Sequence, residues 1–298
     1  MTVVVMLTGL MFQSCFTGIE HTGHISLSKR DREITHRISK EEAFMTDIHG
    51  APLSRWTRGR EFNVDATKVA MVFDHVPDTS QGNTLKYEAF ELIPTPGGTQ
   101  RVNLLFRDSA GNICRYNSTK SDTAKIISTE LPLLIDETLI QELASKLRDR
   151  TLWTRTPEWK TSDGKQVTGR KFEAVKVLDV LSGTENLPFL IKFVDEKGDT
   201  AYISMTQNQG TLASRPFHSL FAIDNPRKNF ANISDENWEN IRNGRVSLGM
   251  TKTECRLALG SPDDTDTGRD YSKTIDIWTY ANGIFLRFED GLLVTFRK

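Results

Sequence analysis

Two periods of apolar spacing organise the chain. A period of two runs through "KYEAFELI" (residues 86–93), where Tyr87, Ala89, Glu91 and Ile93 alternate with Glu88, Phe90 and Leu92. That is the alternation of side chains across the two faces of a strand. "LLFRDSAGN" from Leu104 and "IKFVDEKGD" from Ile191 set apolar runs before a glycine turn and read as hairpins. A helical period replaces this in "LPLLIDETLIQELASKLRDR" (residues 131–150). Pro132 precedes that helix, Asp136 caps it, and Leu139, Leu143 and Leu147 form one stripe. The stripe is expected to pack on its own β unit.

The last third repeats the change of period. Ser234 caps a short helix that stops at Gly244. In "GMTKTECRLALGSP" (249–262), Thr251 and Glu254 form a capping box, Gly260 suits a left-handed C-terminus, and Pro262 prevents continuation. The acidic stretch "DDTDTGRD" (263–270) then reads as a solvated loop. Three strands follow, "IDIWTYA", "GIFLRFE" and "LLVTFRK", turned at Asn282-Gly283 and Asp290-Gly291. One face of that sheet collects Trp278, Tyr280, Ile284, Leu286 and Phe288 against the helices. The other leaves Phe285 and Arg287 outward, an aromatic–arginine pair of the kind interfaces use as anchors.

The middle of the chain carries a degenerate repeat. Trp-Thr-Arg occurs at Trp56 and Trp153, Lys-aromatic-Glu-Ala at Lys86 and Lys171, and Phe-x-Asp-x-x-Gly at Phe106 and Phe193. Two units of 50–60 residues with four or five short strands each are expected, small β-barrels of an SH3-like kind. Trp56 and Trp153, as repeat landmarks, read as core residues; a glycan-stacking pair is the other reading.

Composition narrows the classes of partner. The 298 residues carry 38 Lys and Arg against 39 Asp and Glu, a net charge of −1 that gives no general attraction to nucleic acid. The three cysteines, Cys15, Cys114 and Cys255, match no zinc spacing. A Cys114–Cys255 disulfide would fit an oxidising compartment, but lone cysteines more often act as small buried apolar side chains, and that is the expected reading. His21 and His24 lack neighbours at ligand spacing, and His75 and His218 stand alone. Asp264, Asp266 and Gly268 begin like a calcium loop, but the twelfth position is Ile275 rather than Glu. No nucleophile–base, phosphate-loop or dinucleotide motif is present, so the chain reads as non-catalytic, with no cofactor and no metal.

The first residues bear on location. Val3 to Phe12 is apolar except for Thr8 and Gly9, and is of signal-peptide length. Met11-Phe12-Gln13-Ser14-Cys15 resembles a lipobox, the site where bacterial lipoproteins are cleaved and acylated. Residues 229–298 resemble the SmpA/OmlA (BamE-type) lipoprotein domain, at Gly249, Met250, Thr251, Leu259, Gly260, Pro262, Trp278, Tyr280, Phe288 and Gly291. That resemblance implies an α+β domain of two helices on a three-stranded antiparallel sheet, and it agrees with lipidation. The expected organisation is a signal peptide (1–14), a tether (15–50), a first β unit (51–130), a helix with a second β unit (131–228), and a BamE-like domain (229–298). Fold class is α+β, mostly β. The expected function is protein binding or envelope assembly by a lipoprotein held at the outer membrane through Cys15. The alternative is a periplasmic or surface binding module for glycan or peptide, using the β units.

Overall fold

The computed structural model describes residues 39–297 apart from 65–68, 81, 97, 208–214 and 271. Cys15, the signal-peptide reading, His21, His24 and the tether up to residue 38 lie outside the described residues. The fold is mostly β: three antiparallel sheets of five, seven and four strands, one of them curled into a half-barrel. No helix among the described residues is long and apolar enough to cross a membrane.

The charged segment expected to remain tether is folded in its last part. Ser39 and Glu42 form the capping box of α1 (Lys40–Met45). Phe44 of α1 stacks on Phe217 at 5.5 Å, and the buried Glu41 accepts a hydrogen bond from the Ile223 N–H. An apolar ring and a satisfied carboxylate hold the helix down where net charge alone argues for solvation.

The first β unit consists of β1 (Glu61–Val64), β2 (Thr84–Pro94), β3 (Gln100–Arg107), β4 (Ile113–Asn117) and β5 (Leu134–Asp136), in sheet order β4-β3-β2-β1-β5. Then come α2 (Glu137–Leu147), β6 (Thr151–Thr154), β7 (Glu158–Thr161), β8 (Gln166–Thr168), β9 (Ala174–Thr184), β10 (Leu187–Val194), β11 (Thr200–Met205), α3 (Phe217–Leu220) and β12 (Phe221–Ala222). The second sheet runs β12-β6-β9-β10-β11-β7-β8. Reversed, it repeats the first order strand for strand, from β11 in the place of β4 to β12 in the place of β5. The β7–β8 hairpin is an addition on the β11 edge.

The register makes the equivalence residue-specific. Phe106 is seventh in β3 and pairs with Tyr87, while Phe193 is seventh in β10 and pairs with Val177. Both phenylalanines are fully buried. Each pairing is followed by a bulge that skips one residue, Glu88 in the first unit and Leu178 in the second. The turns after them match as well. Asp108 Oδ1 accepts from the Ala110 and Asn112 N–H groups, and Asp195 Oδ1 from those of Lys197 and Asp199. Gly111 and Gly198 both take φ of +90°, which explains the Asp-x-x-Gly of the motif.

The other two landmarks are not equivalent. Trp153 lies within β6, opposite Ala222, where the first unit has Asn63 opposite Ile135. Trp56 precedes β1 and is held by its Nε1–H to the Ala51 carbonyl. Phe172 sits outside β9 at φ 56°, so Tyr87 corresponds to Val177 instead. Residue identity is shared at these places, but strand register is not.

α2 forms as its stripe requires. Asp136 caps it through the Thr138 N–H, and Leu139, Leu143 and Leu147, with Ile140 and Ala144, are buried in the core of the second unit. Trp159 of β7 joins that core, 6% exposed and edge-on to Phe193 at 5.5 Å. A methyl group on Gly169 would meet the Trp159 ring at 1.7 Å. Gly169→Ala is therefore expected to lower stability by about 2–3 kcal/mol through overpacking. Urea unfolding of the variant measures this; a loss under about 0.5 kcal/mol would show that the β7–β8 hairpin yields freely.

The C-terminal part contains α4 (Asp235–Arg242), capped by Ser234, and α5 (Lys252–Leu259), capped by the complete Thr251–Glu254 box. Its sheet is β13 (Asp264–Asp270), β14 (Lys273–Thr279), β15 (Phe285–Glu289) and β16 (Leu292–Arg297), in sequential order. Four strands thus replace the three expected, because the acidic stretch is β13 and pairs along its whole length with β14. Thr265 and Thr267 favour an extended chain, and an edge position tolerates the aspartates and Gly268. Trp278, Tyr280, Leu286 and Phe288 are buried with Trp238, Ile241 and Cys255 of the helices, and Ile284 packs at the margin.

Candidate functional site

An open groove of about 1040 Å³ runs where the second β unit meets the C-terminal helices. Five cations line it: Lys40 of α1, Arg155 after β6, Lys171 before β9, Lys228 in the 3-10 turn Pro226–Phe230, and Arg256 of α5. Only two carboxylates, Glu41 and Asp224, share the lining.

Those carboxylates are already engaged. Lys40 is ion-paired with Asp224, which holds that carboxyl below its usual range and the Lys40 ammonium above its own. Arg155 reaches Glu41 at 3.3 Å. Lys171 is placed differently. Its Nζ donates to the Ala258 carbonyl at 2.6 Å and to that of Leu257 at 3.4 Å. These are last-turn carbonyls of α5, left without partners in the helix and at its negative end. Burial pushes the Lys171 ammonium below its usual range. The Arg256 guanidinium lies over the Trp278 ring at 4.9 Å and makes no hydrogen bond among the described residues. Lys228 is exposed and makes no hydrogen bond or close ion pair among them, although its charge also acts on Asp224. Phe172, Phe230, Leu257 and Pro226 supply apolar surface between the charges.

The groove stands on a tight joint. Phe172 stacks on Trp238 at 5.3 Å, and Phe230 lies on the same ring at 6.2 Å. The Lys171 N–H bonds the Arg242 carbonyl, and the Arg242 guanidinium pairs with Glu196 at 2.9 Å. Burial raises the Glu196 carboxyl, but the Arg242 and Ala174 donors outweigh it and leave it lowered. Glu173 beside it is buried and raised by that burial.

The residues singled out in the sequence fall elsewhere. Phe285 and Arg287 sit together on the face of the C-terminal sheet turned away from its helices, each half-buried, with Arg287 paired to Glu289 at 2.7 Å. Cys114 and Cys255 are free thiols in different cores, which excludes the disulfide between them in this structure. Burial pushes Cys114 up to about 11 and Cys255 up to about 12. Trp56 is buried and Trp153 is a half-buried strand residue, so they do not form a matched stacking pair. His218 borders the groove, with Nδ1 3.7 Å from Glu42. Asp264 and Asp266 project from β13, and no group of three or more His, Cys, Asp or Glu among the described residues is placed to hold a metal. Sequence reading missed the groove. Its cations come from five separate segments, and Arg170-Lys171 ahead of Phe172 was the sole local hint.

Comparison with protein-family models, with curated proteins and with solved structures gave no match.

Proposed function

We propose that this chain is a non-catalytic lipoprotein of the bacterial cell envelope, held at the outer membrane by lipid on Cys15, that binds a protein partner. Residues 229–298 are read as an SmpA/OmlA (BamE-type) domain and the two β units as SH3-like modules, on the motifs they carry. The observation that supports the reading best is the two-sided C-terminal sheet. Leu286 and Phe288 are fully buried under the helices, while Phe285 and Arg287 alternate with them on the other side. A half-exposed phenylalanine ring beside a guanidinium supplies two residue types enriched at protein–protein interfaces.

The test uses the full chain in its native membrane. Phe285→Ser is expected to remove at least one protein from the set cross-linked to wild type, while Cys15→Ser loses labelled acyl chain. An unchanged cross-linked set would overturn the interface, and equal acyl incorporation into Cys15→Ser would overturn the anchor.

A further inference from the structure

We infer that the groove between the second β unit and the C-terminal helices binds an extended acidic peptide segment, carboxylates alternating with apolar side chains. The inference rests on the reading of a protein-binding chain, but it concerns a surface distinct from the Phe285 face. Once Lys40 and Arg155 are set against Asp224 and Glu41, three cations remain: Lys171, Lys228 and Arg256. The protein as a whole carries −1, so this surplus is local rather than a consequence of a basic chain.

The positions of the three cations suit carboxylates. The Arg256 guanidinium lies over the Trp278 ring at 4.9 Å and makes no hydrogen bond among the described residues, so its planar fork of donors is available to receive a carboxylate in bidentate fashion. Lys171 Nζ donates to two carbonyls at the end of α5, which hold its charge at the groove wall. An arriving anion would offset the burial that now disfavours that charge. Lys228 is exposed at the rim, where it would steer the encounter.

Size and polarity select a peptide among anions. A volume of about 1040 Å³, open to solvent, exceeds what a single phosphate or carboxylate fills. Phe172, Phe230 and Leu257 interleave with the cations and call for apolar groups at intervals along the ligand. A nucleic-acid backbone carries a charge at every step and offers no aliphatic side chain to lie on Phe172, Phe230 and Leu257.

The experiment measures fluorescence polarisation of labelled octapeptides on the full-length protein. The probes are a peptide of alternating Glu and Leu, the same peptide with Gln for Glu, and octathymidylate. The Glu–Leu peptide is expected to bind at least about tenfold more tightly than the Gln–Leu peptide, and to weaken as salt is raised from about 50 to about 300 mM. Lys228→Glu combined with Arg256→Gln should weaken it about tenfold or more. Lys228→Glu alone, at an exposed turn position, keeps the test valid if the double variant unfolds; it should weaken binding about threefold or more. Equal binding of the Gln–Leu peptide would overturn the role of charge. Tighter binding of octathymidylate would overturn the peptide assignment. No binding of the Glu–Leu peptide would overturn the groove while leaving Phe285-dependent capture standing, whereas loss of that capture with peptide binding intact would overturn only the sheet-face interface.

Discussion

Phe106→Ala and Phe193→Ala are each expected to lower stability by about 3–5 kcal/mol. Both side chains are fully buried at the seventh position of the same strand of the repeat. Phe106 lies among Phe62, Phe73, Tyr87 and Tyr116, at ring separations of 5.5 to 6.3 Å. Phe193 has two aromatic neighbours, Trp159 at 5.5 Å and Phe221 at 6.5 Å. Truncation removes the transfer free energy of the ring and leaves a cavity that a sheet pinned by a bulge cannot close. With more ring contacts to lose, Phe106→Ala should be the more severe. The Leu variants should recover more than half of each loss, because they refill most of the volume. Denaturant unfolding with segment-resolved amide exchange distinguishes the two units. A loss under about 1 kcal/mol at either site would refute the equivalence of the two positions.

How much of this was legible in the sequence follows the range of the interactions. Phe-x-Asp-x-x-Gly was readable because one short segment contains the buried anchor, the aspartate that accepts the turn amides and the glycine at positive φ. The caps at Asp136, Ser234 and Thr251 were readable for the same reason: donor and acceptor lie within three residues. Trp-Thr-Arg and Lys-aromatic-Glu-Ala misled because a repeated word says nothing about which residue pairs across a sheet. Phe172 left the strand and became a brace against Trp238, a contact with a different unit. β13 was hidden by its aspartates, since strand formation there depends on pairing with β14 rather than on its own propensity. The groove depends on remote contacts, such as Lys40 with Asp224 and Lys171 reaching the last turn of α5, and no local pattern encodes them.

Asp136→Ala is expected to cost about 3–5 kcal/mol, because one side chain closes two structures at once. Its Oδ1 accepts the Thr138 N–H and starts α2, which lies on the core of the second unit. Its Oδ2 takes the Arg60 guanidinium at 2.5 Å, beside β1 of the first unit. The Asp136 side chain is wholly buried and that of Arg60 is 12% exposed. The Arg60 Nε already lacks a partner among the described residues, so removing the carboxylate strands most of a buried cation. Asp136→Asn should be milder, since Asn caps a helix about as well as Asp, although its single oxygen then leaves the amide NH2 facing Arg60. Arg60→Met removes the buried charge and keeps the stem that lies by the Trp56 ring, its guanidinium carbon 6.0 Å from the ring centre. Combined with Asp136→Asn, it should therefore cost less than the two single losses added together. Urea midpoints for the four proteins of that double-mutant cycle, with Asp136→Ala alongside, give the coupling directly. Additive losses, or an Asp136→Ala protein within about 1 kcal/mol of wild type, would show that the Arg60–Asp136 pair does not join the two units energetically.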